Sequence, residues 1–161
     1  GINLLTAFLG AWVIGRFEDT IQQLVALAVL MPVVAGMGGI AGSQTLTIAI
    51  RGIALGQIAK TNVKPLLIKE LSIGILNGIF WSCVVAIVVI LWFGKLSLGV
   101  IIGASMIINL IIAALAGATI PIILKRYGID PAIAGGVILT TVTDVVGFVT
   151  FLGLATIFLL S

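Results

Sequence analysis

The sequence predicts an all-α, polytopic membrane protein built as a bundle of five transmembrane helices. Of its 161 residues, 61% are hydrophobic and 8% are charged, whereas an average soluble domain is about one quarter charged. So few charges cannot cover a globule in water, and the mean hydropathy of +1.41 agrees with this. The apolar runs are long and unbroken, which fits helices of about 20 residues and excludes a barrel, whose strands alternate apolar with polar residues.

Five apolar stretches, separated by charged or turn residues, are the predicted spans. Their approximate ranges are 2–17, 22–50, 66–93, 98–124 and 131–160. The first range is short for a crossing of a hydrocarbon core about 30 Å thick. Together the five spans are expected to form a single transmembrane domain that occupies residues 1–161.

Basic residues are distributed unevenly between the loops, which predicts the orientation in the membrane. Two lie in or beside the loops after spans one and three, namely Arg16 and Lys95. Six lie in or beside the loops after spans two and four, and these are Arg51, Lys60, Lys64, Lys69, Lys125 and Arg126. Because basic loops stay in the cytoplasm, the N-terminus is expected inside and the C-terminus outside a cell inner (plasma) membrane. The net charge of +3 therefore indicates topology rather than nucleic-acid binding.

The composition also excludes several classes of function. The chain has no His and one Cys, Cys83, so His-based catalysis, an intrachain disulfide and soft Zn²⁺ or Cu⁺ sites are not expected. No nucleophile–base pair is visible, and we do not expect an enzyme. The segment Gly36-x-Gly38-x-x-Ala41 fits a dinucleotide-binding turn. It lies in a membrane span, however, and lacks the acidic residue that such a site has about 20 positions later.

Asp144 is the most informative single residue because it lies deep in span five. It follows Pro131 by 13 residues, which corresponds to about 20 Å of helix. A carboxylate at the centre of a membrane costs on the order of 3 kcal/mol, and such residues usually face a cavity and mark an ion pathway. No Lys or Arg lies at a comparable depth in the predicted spans. The carboxyl is therefore expected either to be protonated or to meet a cation from outside.

Small and hydroxyl-bearing residues accompany Asp144 along two predicted helix faces. In span five they are Gly136, Thr140, Thr141 and Gly147. In span two they are Gly36, Gly39, Ser43 and Thr47. Because each set recurs at helical spacings, two such faces opposite each other would enclose a polar path for a cation, and these residues are the predicted pore lining. The alternative is a neutral Asp144 that only holds helices together.

Asp130 precedes Pro131 at the predicted start of span five and has two interpretations. An Asp before a Pro at the first helical position is typical of a helix N-cap. The same carboxylate would also lie at the cytoplasmic mouth of the path. For Asn77 and Asn109, which are deep in spans three and four, the commoner role is a hydrogen bond between helices.

The residues favour a hard cation as the transported species. Mg²⁺ releases water reluctantly and is usually held by one or two carboxylates through its waters. The single negative charge of Asp144 balances only half the charge of a divalent ion. A two-fold homodimer would bring two copies of Asp144 to a shared axis. The residues alone thus favour a cation pathway at a dimer axis without identifying the cation.

Several motifs, in one order along nearly the whole chain, resemble the transmembrane domain of the MgtE-type magnesium channel family. The matching segments are 3–8, Pro32 with 38–44, 51–56, 69–70, 130–132 and 140–148. The resemblance implies a five-span homodimer with a Mg²⁺-conducting pore at the two-fold axis, and Mn²⁺ and Co²⁺ are the related ions to consider. It also implies that Asp144 holds a hydrated ion and that the backbone carbonyl of Thr140 lines the pore, so these two are the expected metal residues.

The resemblance also implies partners and leaves alternatives open. Members of the family carry cytoplasmic regulatory domains that sense Mg²⁺ and close the pore. Membrane lipids are the second expected partner, because they surround the helices. Ile40 stands where the family usually has Asn, and Val137 stands where it often has Pro, so the motifs do not fix selectivity for Mg²⁺. A cation exchanger coupled to Na⁺ or H⁺ and a non-conducting assembly subunit are the alternative functions.

Overall fold

The computed structural model describes residues 1–58 and 62–159, and all regular secondary structure within these residues is helical. The helices are α1 (Ile2–Gly15), α2 (Glu18–Gln23), α3 (Ala26–Ala54), α4 (Val63–Phe93), α5 (Leu96–Arg126) and α6 (Pro131–Leu159). The predicted all-α class is therefore confirmed. Lys60 and the last residue of the fifth predicted span, Leu160, lie outside the described residues.

Four helices are long and apolar enough to cross a membrane, which confirms a multi-pass membrane protein. α3 and α6 have 29 residues each, and α4 and α5 have 31. α1 is also apolar but has 14 residues, which is about 21 Å of helix against a hydrocarbon core of about 30 Å. The described residues thus form six helices, four of them of spanning length, where the sequence predicted five spans.

α2 is an element that the sequence did not predict, and it shortens the second predicted span at its beginning. Leu24 leaves the helical region, with φ −139° and ψ 85°, so the chain turns between α2 and α3. Glu18 and Asp19 lie in the first turn of α2, where carboxylates interact favourably with the helix dipole. The hydroxyl oxygens of Thr20 and Thr156 are 2.8 Å apart and hydrogen bond, which ties α2 to α6.

α5 is the central helix of the bundle and packs against α3, α4 and α6, while α1 packs on α6. Small residues permit these contacts. On α4, a Cβ added at Gly74 would lie 3.0 Å from the Cβ of Ala114, and one added at Gly78 would lie 3.3 Å from the Cα of Ile107. Lipid gives no hydrophobic force between helices, so close packing of this kind holds them together.

The backbones of α3 and α5 are in direct contact at Gly117. A Cβ added there would lie 2.6 Å from the carbonyl oxygen of Gly42 and 2.9 Å from the Cβ of Thr45. Interior packing is too dense to absorb such an overlap without a shift of the helices. Glycine is therefore required at this position by the distance between the two backbones.

Asn109 joins three helices in the interior. Its side chain is buried on α5, and Nδ2 donates a hydrogen bond to the carbonyl oxygen of Val34 on α3 at 2.9 Å. Side chains at Gly38 of α3 or Gly147 of α6 would collide with this amide. The interhelical role predicted for Asn109 is confirmed, whereas Asn77 is exposed on α4 and lines a cavity there.

Asp130 caps the N-terminus of α6. Its Oδ1 accepts a hydrogen bond from the backbone N–H of Ala132 at 2.9 Å, and Pro131 is the first helical residue. This bond satisfies one of the amide groups that a helix leaves unpaired at its N-terminus. The capping interpretation of Asp130 is therefore confirmed.

We expect Gly117→Ala to destabilise the protein by about 1–3 kcal/mol, because a methyl group between the backbones of α3 and α5 forces them apart. Thermal unfolding of the purified protein in detergent, followed by circular dichroism, measures the change. The control is Gly153→Ala in α6, where an added Cβ meets nothing within 4 Å. Equal stability of the two variants would contradict the backbone contact at Gly117.

Two substitutions of Asp130 separate the cap from the charge. Asp130→Ala is expected to lower the unfolding free energy by about 1 kcal/mol, because Ala cannot accept the hydrogen bond from the N–H of Ala132. Asp130→Asn is expected to keep the wild-type stability, since Asn caps a helix about as well as Asp. The same unfolding measurement compares them. If both variants lose stability equally, the charge rather than the hydrogen bond stabilises this end of α6.

Candidate functional site

A groove between α3 and α6 brings together most of the residues that the sequence predicted. It has a volume of about 850 Å³ and is open on one side. Of the predicted residues it contains Gly36, Gly39, Ser43, Thr47, Thr140 and Asp144. The two faces inferred from helical spacing therefore meet in one groove.

Helical geometry explains how α3 forms its side of this groove. Gly36, Gly39, Ser43 and Thr47 recur every three or four residues and so lie on one face of the helix. A Cβ added at Gly36 or Gly39 would meet nothing within 4 Å. The lack of side chains at these two positions leaves the groove wide at this end.

The hydroxyl groups of the groove donate their protons to their own helices. Ser43 Oγ donates to the carbonyl oxygen of Gly39 at 2.7 Å, and Thr47 Oγ1 donates to that of Ser43 at 2.8 Å. Thr140 Oγ1 donates to the carbonyl oxygen of Gly136 at 3.0 Å. Because each hydroxyl proton is used in this way, the lone pairs of these oxygens are left to accept. Such acceptors suit a cation or the donating waters of a hydrated cation.

Asp144 supplies the single carboxylate among the residues of the groove and lies one turn beyond Thr140 on α6. Within the part of the chain that the structure describes, no hydrogen-bond donor and no Lys or Arg reaches this carboxylate. A role limited to helix association would need such a partner. The geometry therefore favours a carboxyl group that is available to a ligand in the groove.

A second hollow borders Asp144 on the side of α1. It has a volume of about 300 Å³ and is lined by Asn3, Thr6 and Ala7 of α1 together with Thr140, Thr141 and Asp144 of α6. Helical spacing did not show that α1 would lie here. The available signal was the pair Asn3 and Thr6, two polar residues three positions apart on an otherwise apolar helix.

Some of the predicted residues lie elsewhere. Gly147 was predicted to line the pore, but it is buried against α3 and α5, where a Cβ would lie 2.9 Å from the amide nitrogen of Asn109. Gly136 is exposed and meets the groove only through the hydrogen bond that its carbonyl accepts from Thr140. Thr141 faces the hollow beside α1 rather than the groove. Asp130 lies at the start of α6, about 21 Å along the helix from Asp144.

The carbonyl of Thr140, which the family resemblance implies as a pore-lining group, already accepts a hydrogen bond in the structure. Its donor is Thr143 Oγ1, at 3.1 Å, and the Thr143 side chain is buried. Thr140 is one of the residues that line both hollows.

The remaining groove residues come from the same face of α3. Ile40 is 61% exposed and lines the groove, so the position where the family usually has Asn belongs to the site and is apolar here. Ala35, Gln44 and Ile48 complete the wall, and Gln44 and Ile48 also border a cavity between α3, α4 and α5. Val137, the other departure from the family pattern, is not among the residues of the groove.

Comparison with known proteins places the chain in a family. Residues 31–154 match the sequence model of the MgtE family, described as a divalent cation transporter. The chain is 38% identical over 158 residues to the magnesium transporter MgtE of Bacillus subtilis, which covers 98% of this chain and 35% of the relative. It is 32% identical over 155 residues to the magnesium transporter MgtE of Enterococcus faecalis, which covers 94% of this chain and 34% of the relative.

A third relative, the magnesium transporter MgtE of Thermus thermophilus, is 30% identical over 158 residues, covering 98% of this chain and 35% of the relative. The chain thus spans about a third of the length of the relatives that it matches. The match to the family covers most of the chain, so the resemblance inferred from the motifs is confirmed. The family consists of transporters rather than enzymes, which agrees with the composition. The chain belongs to the MgtE family of divalent cation transporters.

Proposed function

We propose that this chain conducts Mg²⁺ across a cell inner (plasma) membrane, through a pore at the two-fold axis of a homodimer. The observation that carries the proposal is the carboxylate of Asp144, which has no protein partner within residues 1–58 and 62–159 and opens onto a groove of acceptor oxygens. Three relatives are each named a magnesium transporter, which supports the choice of ion. Mn²⁺ and Co²⁺ are the competing ions.

A hydrated ion suits the groove better than a bare one. Mg²⁺ loses water reluctantly and requires an octahedral set of oxygen ligands. No group of three or more His, Cys, Asp or Glu side chains that could hold a metal occurs among the described residues. Six waters occupy roughly 180 Å³ at their liquid volume, well below the 850 Å³ of the groove. In this proposal Asp144 and Thr140 contact the ion through its waters.

A second copy of the chain is proposed to cover the groove. Ser43, Thr47 and Asp144 present polar atoms on the open side of a membrane-spanning bundle, and polar groups that face hydrocarbon are costly. A two-fold arrangement would enclose these atoms and double the number of carboxylates along the path. The mass of the purified protein in detergent tests this arrangement, since a monomer contradicts a dimer pore.

The proposed topology has five crossings, with α1 as the first. The hollow between α1 and α6 puts Asn3 and Thr6 beside Asp144, which supports a position of α1 at the depth of the ion site. With an odd number of crossings the termini would lie on opposite sides, and the distribution of basic residues favours an N-terminus in the cytoplasm. Asp130 then lies at the cytoplasmic mouth, on the side of the regulatory domains that the family resemblance implies.

Asp144→Asn is expected to lower Mg²⁺ uptake into proteoliposomes at least about tenfold, which corresponds to ~1.4 kcal/mol of lost ion stabilisation. The amide keeps the size of the side chain and removes the charge that attracts the ion. A fluorescent Mg²⁺ indicator inside the vesicles measures uptake, and parallel assays use Mn²⁺ and Co²⁺. The matched control is Asp19→Asn, which changes an exposed carboxylate of α2 and is expected to conduct like the wild type.

Two outcomes of this uptake assay would contradict the proposal. Unchanged Mg²⁺ uptake by Asp144→Asn would exclude Asp144 as the ion site. Wild-type uptake that requires an opposing gradient of Na⁺ or H⁺ would exclude a channel and favour a coupled exchanger.

Gly36→Leu is expected to abolish most of the Mg²⁺ uptake while leaving the unfolding temperature unchanged. The new side chain projects into the groove, and a Cβ at this position meets no protein atom within 4 Å. The matched control is Gly153→Leu on α6, which also has open space at Cβ but lies outside the groove. Equal uptake by the two variants would show that ions do not pass along the α3 face.

A further inference from the structure

A second polar cavity lies between α3, α4 and α5. It has a volume of about 180 Å³, and its polar lining residues are Gln44, Thr45, Lys69, Glu70 and Asn77. Glu70 requires an explanation, because it is a carboxylate and yet only 5% exposed. It does not belong to the groove that contains Asp144.

Few protein groups stabilise the negative charge of the Glu70 carboxylate. Thr45 Oγ1 donates to Glu70 Oε2 at 3.3 Å, which is a long hydrogen bond. In the ranges 1–58 and 62–159 no other donor and no Lys or Arg reaches the carboxylate. Lys69, the next residue along α4, is exposed and forms no ion pair with Glu70. A buried carboxylate in such surroundings is costly unless a positive charge accompanies it.

The other polar groups of the cavity are the oxygen ligands that hard cations prefer. Gln44 and Asn77 have amide oxygens, Thr45 has a hydroxyl and Glu70 has two carboxylate oxygens. Helix register explains how they meet, because Glu70 and Asn77 are two turns apart on α4 while Gln44 and Thr45 are neighbours on α3. The cavity has the volume of about six waters, which leaves room for a small cation that keeps part of its hydration shell.

We propose that this cavity binds a small monovalent cation of the Na⁺ type, at a site distinct from the ion path at Asp144. One carboxylate balances one positive charge, and the neutral oxygens of Gln44, Thr45 and Asn77 complete the coordination. A divalent ion would leave an excess positive charge next to Lys69. Ligands from α3 and α4 would then be joined through the ion, which stabilises the folded protein.

Thermal unfolding of the purified 161-residue chain tests the site without reference to Mg²⁺ conduction. The buffer contains a chelator and no Mg²⁺, and NaCl replaces choline chloride at constant ionic strength. Na⁺ is expected to raise the unfolding temperature of the wild type by about 5 °C at a concentration roughly ten- to a hundredfold above its dissociation constant, because it binds the folded state alone. A wild type whose unfolding temperature does not rise with Na⁺ or K⁺ would overturn the proposal.

Substitutions test whether the Na⁺-dependent rise in unfolding temperature comes from the cavity that contains Glu70. Glu70→Gln is expected to lose the Na⁺-dependent rise and to be at least as stable as the wild type in choline chloride, because the buried charge is gone. Asp144→Asn, which alters the groove, is expected to keep the full rise. A rise of wild-type size in Glu70→Gln, or its loss in Asp144→Asn, would place the cation elsewhere.

Two milder variants keep the test decisive if Glu70→Gln does not fold. Thr45→Val removes the hydroxyl at nearly constant shape, and Asn77→Leu removes the amide oxygen, so both are expected to need several-fold more Na⁺ for the same rise. Unchanged Na⁺ dependence in both variants would contradict the coordination. A larger rise with MgCl₂ than with NaCl, lost in these variants, would show that the site takes a divalent ion and overturn the monovalent assignment.

Discussion

The backbone contact between α3 and α5 at Gly117 is the constraint on which the rest of the structure depends. Lipid supplies no hydrophobic force between helices, so this contact and the hydrogen bond from Asn109 to Val34 hold α3 against α5. One face of α3 is held against α5, whereas Cβ atoms added at Gly36 and Gly39 on another face would meet no atom of the described residues within 4 Å. The groove is therefore a result of how tightly the opposite face is packed.

The chemistry of the groove follows from the way hydroxyl side chains behave in a membrane helix. Ser43, Thr47 and Thr140 donate to carbonyl oxygens one turn earlier, which satisfies their protons where water is scarce. As a result they offer lone pairs to the groove and no donors. Together with the carboxylate of Asp144, this arrangement favours cations over anions before any specific coordination is considered.

Hydropathy was sufficient to predict the helical class and the four long helices. Helical spacing was sufficient to predict that Gly36 and Thr47 share one face of α3 and that this face lies near Asp144 of α6. They did not predict α2, because its turn at Leu24 depends on local backbone angles that a run of apolar residues does not reveal. Spacing also shows which residues share a face but not which helix covers it, so Gly147 was assigned to the pore although Asn109 packs against it. The burial of Glu70 was missed for a related reason, because a Lys-Glu pair near a span end resembles a solvated loop.

A single helix, α3, separates the groove of Asp144 from the cavity of Glu70, and the side chains of Gln44 and Ile48 border both spaces. Because the two spaces share this wall, a substitution at Gln44 or Ile48 changes the lining of both, and a variant at either position cannot assign an effect to one of them.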